Sequence, residues 1–131
     1  MSRALNRHVP PWDLILRTRL FALAVRKFVR SLPKTDEARE TGNQLRRAAN
    51  SMRSNYRAAR RGRTRKEFQS KLGIVFEEAD ECADHLRYLS ESRIRHDSSL
   101  LQEARELASI FAKAVKTARE NSERMRSHPK S

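Results

Sequence analysis

The sequence predicts an all-α protein, an up-down antiparallel four-helix bundle, on three observations. Prolines occur only at positions 10, 11, 33 and 129, so no proline interrupts the stretch from Lys34 to His128. Only three glycines occur in 131 residues. Apolar side chains recur at steps of three and four in four separate segments, the spacing that gathers one face of an α-helix.

The first helix is expected from about Trp12 to Ser31, with Leu14, Thr18, Phe21, Val25, Phe28 and Leu32 on its inner face and Pro33 ending it. A second begins between Asp36 and Thr41 and continues to about Arg61, with Gly62 past its end as a C-cap. Its apolar spine is Leu45, Ala48, Ala49, Met52, Tyr56 and Ala59. Thr64 followed by Glu67 three residues later is a capping box that opens the third helix. The core line of that helix is the cleanest: Phe68, Leu72, Val75, Ala79, Cys82, Leu86 and Leu89. After a loop at Ser90 to His96, Asp97 or Ser98 caps the fourth helix, whose packed face reads Leu101, Ala104, Ala108, Phe111, Val115 and Ala118. Short connections between amphipathic helices make sequential neighbours antiparallel. Residues 12–120 thus form the bundle, residues 1–11 an N-terminal arm and residues 121–131 a frayed or disordered tail.

Charge is distributed unevenly along this frame. The formal net charge is +13, and Arg outnumbers Lys 22 to 7. By segment the balance is +5 for residues 1–42, +9 for 43–66, −5 for 67–92 and +4 for 93–131. The second segment holds nine basic side chains and no acidic one: Arg46, Arg47, Arg53, Arg57, Arg60, Arg61, Arg63, Arg65 and Lys66. At about 100° per residue, Arg46, Arg53, Arg57 and Arg60 fall in one stripe bordering the apolar face of the second helix. Guanidinium groups so placed match phosphate oxygens in pairs, or pair with carboxylates of a neighbouring helix or subunit. A pI of 11.1 on a small domain is the electrostatic footprint of a polyanion binder and fixes neither RNA nor DNA.

The third helix carries the opposite sign. Glu77, Asp80, Glu81 and Asp84 cluster opposite its core line, and Ile74 and Tyr88 also point away from that line. The face is either solvated acid or a subunit contact that buries the two apolar side chains and sets the acids against arginines.

Chemistry-bearing constellations are few. Cys82 and His85 have a metal-like spacing, yet two ligands do not close a zinc site, and Cys82 lies on a core line. No Glu-x-x-His pair suited to a di-iron bundle and no glycine-rich phosphate loop is present, so no metal and no cofactor is expected. Arg3 and His8 have the spacing of an HEPN-class ribonuclease motif, within the expected arm. One cysteine excludes an internal disulfide and suits a reducing, cytoplasmic setting. Arg17, Arg19, Arg26 and Lys27 interrupt the best candidate for a membrane span.

The run Gln44-Leu45-Arg46-Arg47-Ala48-Ala49, then Ser54-Asn55, then Arg63-Thr64-Arg65-Lys66-Glu67-Phe68, resembles the four-helix-bundle proteins encoded in intervening sequences of bacterial 23S rRNA genes, the S23-like ribosomal proteins. The match is strongest from Leu32 to Leu89, and a glutamate of the family pattern falls on Glu81. The resemblance implies a ring-like homopentamer with nucleic-acid-binding surface. A related branch serves as the accessory protein of diversity-generating retroelements and binds a reverse transcriptase and RNA. Where the family has Ile-Ala-Glu-Gly, this chain has Tyr56-Arg57-Ala58-Ala59, losing a carboxylate and gaining a cation.

The residues together read as a non-enzymatic homo-oligomer that binds RNA or DNA through backbone phosphates. Few aromatics are available for base stacking, which disfavours sequence readout of single strands. The rival reading is an interaction module whose arginine stripe pairs with acidic faces of neighbouring subunits, and an HEPN-like ribonuclease stands third.

Overall fold

The computed structural model describes residues 12–127. Four α-helices account for nearly all of them: α1 Leu14–Arg30, α2 Asp36–Arg60, α3 Arg65–Glu91 and α4 Ser98–Ser127. Each packs against its neighbour in sequence, α1 meets α4 least, and α1 and α3 sit on opposite sides of the bundle. The up-down arrangement follows from the short connections.

Local chemistry sets each helix start. The side chains of Asp13, Thr35, Thr64 and Asp97 accept the backbone N–H of Leu16, Ala38, Glu67 and Leu100 at 3.0–3.2 Å, which satisfies donors that the first turn leaves free. The Glu67 carboxylate reaches back to the N–H of Arg63 at 2.8 Å, one residue before the cap, so the expected box closes with a shifted register.

The helix ends depart more from expectation. No glycine among the described residues has a positive φ, so Gly62 does not form the left-handed C-cap. Arg61 is the C-cap residue instead, and Gly62 donates its N–H to Ala59 O at 3.1 Å in an ordinary right-handed turn. The left-handed position lies at Arg93, with φ 59°. Arg93 N–H bonds Ser90 O and Ile94 N–H bonds Leu89 O, each at 3.0 Å, the two crossed bonds of a Schellman motif. Ile94 completes the motif by packing on the core. At the far end, α4 continues through residues 121–127, which the sequence assigns to a frayed tail. Residues 1–11 of the expected arm and 128–131 lie outside the described residues.

The core lines of α2 and α3 are buried as the spacing predicts, from Leu45, Ala49 and Met52 across to Leu72, Val75, Ala79, Cys82, Leu86 and Leu89. In α4 the buried face is turned relative to expectation. Leu101, Ala104 and Phe111 are buried as expected, but Leu100 and Leu107 join them fully enclosed, whereas Ala108, Val115 and Ala118 are half-buried at the edge. Between Leu100 and Leu107 on that face lies Glu103, 0% exposed.

Glu103 is buried because Arg17 of α1 meets it. Arg17 Nε and Nη2 donate to Glu103 Oε2 and Oε1 at 2.8 Å, a bidentate fork, and Nη2 also reaches Glu106 Oε1 at 2.8 Å. Donating to the Glu103 carboxylate pushes the already high Arg17 pKa up further, against the opposing effect of burial. Along the sparse α1–α4 seam this buried clasp supplies the polar contact. Arg95 adds a second tie, donating from Nη2 to Ser31 O at 2.7 Å.

On the other flank of α1 the fit to α2 is close. A Cβ on Gly42 would lie 2.9 Å from Leu32 Cδ1 and 3.1 Å from Val29 Cγ1, so a bare backbone admits the end of α1 there. That contact also sets the register of the two helices.

Candidate nucleic-acid interface

In α2, Arg46, Arg53 and Arg57 stand seven and eleven residues apart along one stripe. In α1, Arg19, Arg26 and Arg30 repeat the same spacing. Because the helices are antiparallel neighbours, the two rows line the opposite walls of one groove of about 810 Å³. Lys34 and Arg39 close its end near the α1–α2 connection, and its lining contains no carboxylate. Its apolar lining includes Ala22 and Val29 at the base, Leu23 within the α1 row, and Leu32, Pro33 and Ala38 near the α1–α2 connection.

Gly42 packs between Val29 and Leu32, and extending that antiparallel register places Arg46 across from Arg26 and Arg53 across from Arg19. Successive pairs are seven residues, about 10 Å, apart along the helices. Arg53 is oriented by Asn50, whose Oδ1 accepts from Nε at 3.2 Å and from Nη2 at 2.7 Å. Among the described residues, Arg17, Arg39 and Arg87 form the ion pairs. Two arginines on each wall therefore face one another without a carboxylate between them, while Arg30 and Arg57 extend the rows toward opposite ends of the groove.

The remaining basic residues predicted from sequence lie elsewhere. Arg60, Arg61, Arg63, Arg65 and Lys66 are exposed around the α2–α3 turn, and Arg47 is exposed on α2, none of them lining the groove. Gln69 Nε2 donates to Ala118 O at 2.7 Å, which brings the start of α3 beside the end of α4. Arg119 and Arg126 line a smaller depression there with Gln69, Val115, Ala118 and Ser122.

Sequence reasoning missed the α1 wall. Its signal was present in the shared spacing of the two arginine rows, but it acquires meaning only once α1 and α2 are laid side by side. Tyr56, at the family's departure site, is buried against Phe111 with ring centroids 5.2 Å apart, and burial pushes its hydroxyl pKa up. Its neighbour Arg57 points into the groove.

The acidic residues of α3 lie away from this groove, whose lining contains no α3 residue. Glu77, Asp80, Glu81 and Asp84 are exposed on α3, flanked by Ile74 at 36% and Tyr88 at 55% exposure. Glu78, absent from the expected set, is half-buried beside them, and burial together with Glu81 and Glu77 raises its pKa. Cys82 lies wholly inside the core, where burial pushes the thiol far up and keeps it protonated. His85 is half-buried one turn away, and the described residues contain no group of three or more potential metal ligands. Arg3 and His8 lie outside the described residues. No described helix is long and apolar enough to cross a membrane.

Fold and surface thus define a basic four-helix bundle with segregated charge. The sequence model of the 23S rRNA-intervening sequence proteins matches residues 13–116, and the chain belongs to that family. The chain is also similar in fold to a crystallised protein of unknown function from the S23 ribosomal protein family of Bacteroides thetaiotaomicron VPI-5482, with a TM-score of 0.71. The two share 21% identity over 78% of this chain and 97% of the other. No curated protein matches the chain.

Proposed function

We propose that this protein is a non-enzymatic, homopentameric polyanion binder that holds RNA or DNA by its backbone phosphates in the α1–α2 groove. The observation that carries the reading is the groove itself, walled by arginines from both helices and free of carboxylates. Six guanidinium groups confined without counter-charge repel one another, and a phosphate chain offers charge and fork geometry that fit them. Arg47, Arg60, Arg61, Arg63, Arg65 and Lys66 extend the positive field beyond the groove.

In the assembly, Ile74 and Tyr88 are the apolar contacts that a neighbouring copy covers, with Glu77, Glu81 and Asp84 around them. The narrower role, accessory protein to a reverse transcriptase, rests on the family resemblance and requires a reverse-transcriptase gene beside this one.

The test changes Arg53 and Arg57 together to Gln and follows affinity for unrelated nucleic-acid sequences across a salt series, with sedimentation of each variant. Loss of two phosphate contacts lowers the slope of log affinity against log salt by about 1.4 to 1.8. Pentamer mass and helicity stay as in the parent protein. Dissociation of the oligomer with an unchanged slope per chain would show that these arginines clamp a neighbour's α3 face instead.

A further inference from the structure

We infer that the α1–α2 groove is built for a single polynucleotide strand in preference to a duplex, a claim that rests on the nucleic-acid reading above. The groove runs between two helices in direct contact, and such pairs lie only about 8–10 Å apart, axis to axis. A B-form duplex has a major groove alone about 12 Å wide, so the whole duplex can rest on the rims but cannot enter. A single phosphate backbone can enter, and there it meets cations from both sides: Arg26 faces Arg46, and Arg19 faces Arg53.

The floor supports the same choice. At the base of the walls lie half-buried Ala22 and Val29, and Leu23, 54% exposed, adds apolar surface within the α1 row between Arg19 and Arg26. Apolar surface at the base of a cationic groove has no use for a duplex, whose bases are already stacked and paired. It does suit unpaired bases, whose flat faces gain from leaving water. No Phe, Tyr or Trp lines the groove, so the contact is general to all bases and strand recognition proceeds without sequence readout.

The experiment compares labelled oligo-dT and oligo-U strands with a duplex of equal length by fluorescence anisotropy, using the full chain in its native assembly. Strands of both chemistries are expected to bind about tenfold tighter than the duplex, the gain coming from apolar surface that unpaired bases remove from water. Leu23→Glu places a carboxylate in the α1 wall between Arg19 and Arg26, and should lower strand affinity about tenfold while helicity and sedimentation stay unchanged. Equal or tighter binding of the duplex overturns the strand preference and leaves phosphate binding standing. Wild-type strand affinity in the Leu23→Glu variant shows that the strand lies outside the groove, which also overturns it. Failure of strands and duplex alike to bind overturns the nucleic-acid reading itself.

Discussion

Replacing Glu103 by Gln removes one charge from the buried clasp while conserving volume, so it isolates the electrostatic part of the α1–α4 seam. In the native bundle both carboxylate oxygens accept from Arg17 at 2.8 Å, with the two side chains 7% and 0% exposed. The amide keeps one acceptor and turns an NH2 donor toward guanidinium donors, leaving a buried cation with a broken fork. Breaking a buried pair costs about 3–5 kcal/mol, because the surviving charge stays desolvated. Glu106, 37% exposed, still holds Arg17 Nη2, which puts the expected cost near the lower end, about 3 kcal/mol. Urea denaturation followed by circular dichroism at fixed protein concentration reads this directly, and with a slope of about 1–3 kcal/mol/M the midpoint falls by at least about 1 M. The double change Arg17→Met with Glu103→Leu removes both charges and fills the seam with apolar volume, so it should be more stable than Glu103→Gln alone. A Glu103→Gln variant within about 1 kcal/mol of the parent, or a double variant less stable than the single, would refute the account of the clasp.

Two further outcomes are expected. Arg93→Gly relieves a left-handed residue at the Schellman position and should stabilise the protein by about 1 kcal/mol, read as a higher urea midpoint; a loss of stability would mean that the arginine side chain makes a contact worth more than the strain. Burial raises the Cys82 pKa above its ordinary value of 9.0, so above that pH the unfolded chain gives up a proton that the folded chain keeps. Stability should therefore fall by about 1.4 kcal/mol for each pH unit through that alkaline range, and Cys82→Ser should remove this contribution while costing stability at neutral pH and leaving nucleic-acid binding unchanged. An equal alkaline slope in the serine variant would show that the thiol is not its source.

The inner faces of α2 and α3 were legible in the sequence because every third or fourth residue is apolar and Thr64 marks a start that nothing else competes for. The buried face of α4 was read correctly at Leu101, Ala104 and Phe111, but Leu100, Glu103 and Leu107 were missed, for a physical reason. Glu103 interrupts its apolar line, and a carboxylate reads as a surface residue until Arg17, distant in sequence, is placed against it. Gly62 looked like a C-cap because glycine adopts left-handed backbone without penalty, yet the structure closes α2 in a right-handed turn and places the strained residue at Arg93. Half of the groove could be read from α2 alone. The rest could not, since Arg19, Arg26 and Arg30 first appear only as polar interruptions of an apolar helix.

The facing arginine rows also bear on the folding of the α1–α2 hairpin. Pressing α1 onto α2 brings cations of one helix toward those of the other, so the groove opposes the apolar contacts beneath it, which join Val29 and Leu32 to the backbone at Gly42. An anion lying between the rows cancels that repulsion and draws both walls toward itself. α1, which packs on α2 and is tied to α4 by the Arg17 clasp, would then gain a further anchor that the chain does not encode. On the proposed reading, a polyanion bound in this position would be a component of the fold as much as a ligand.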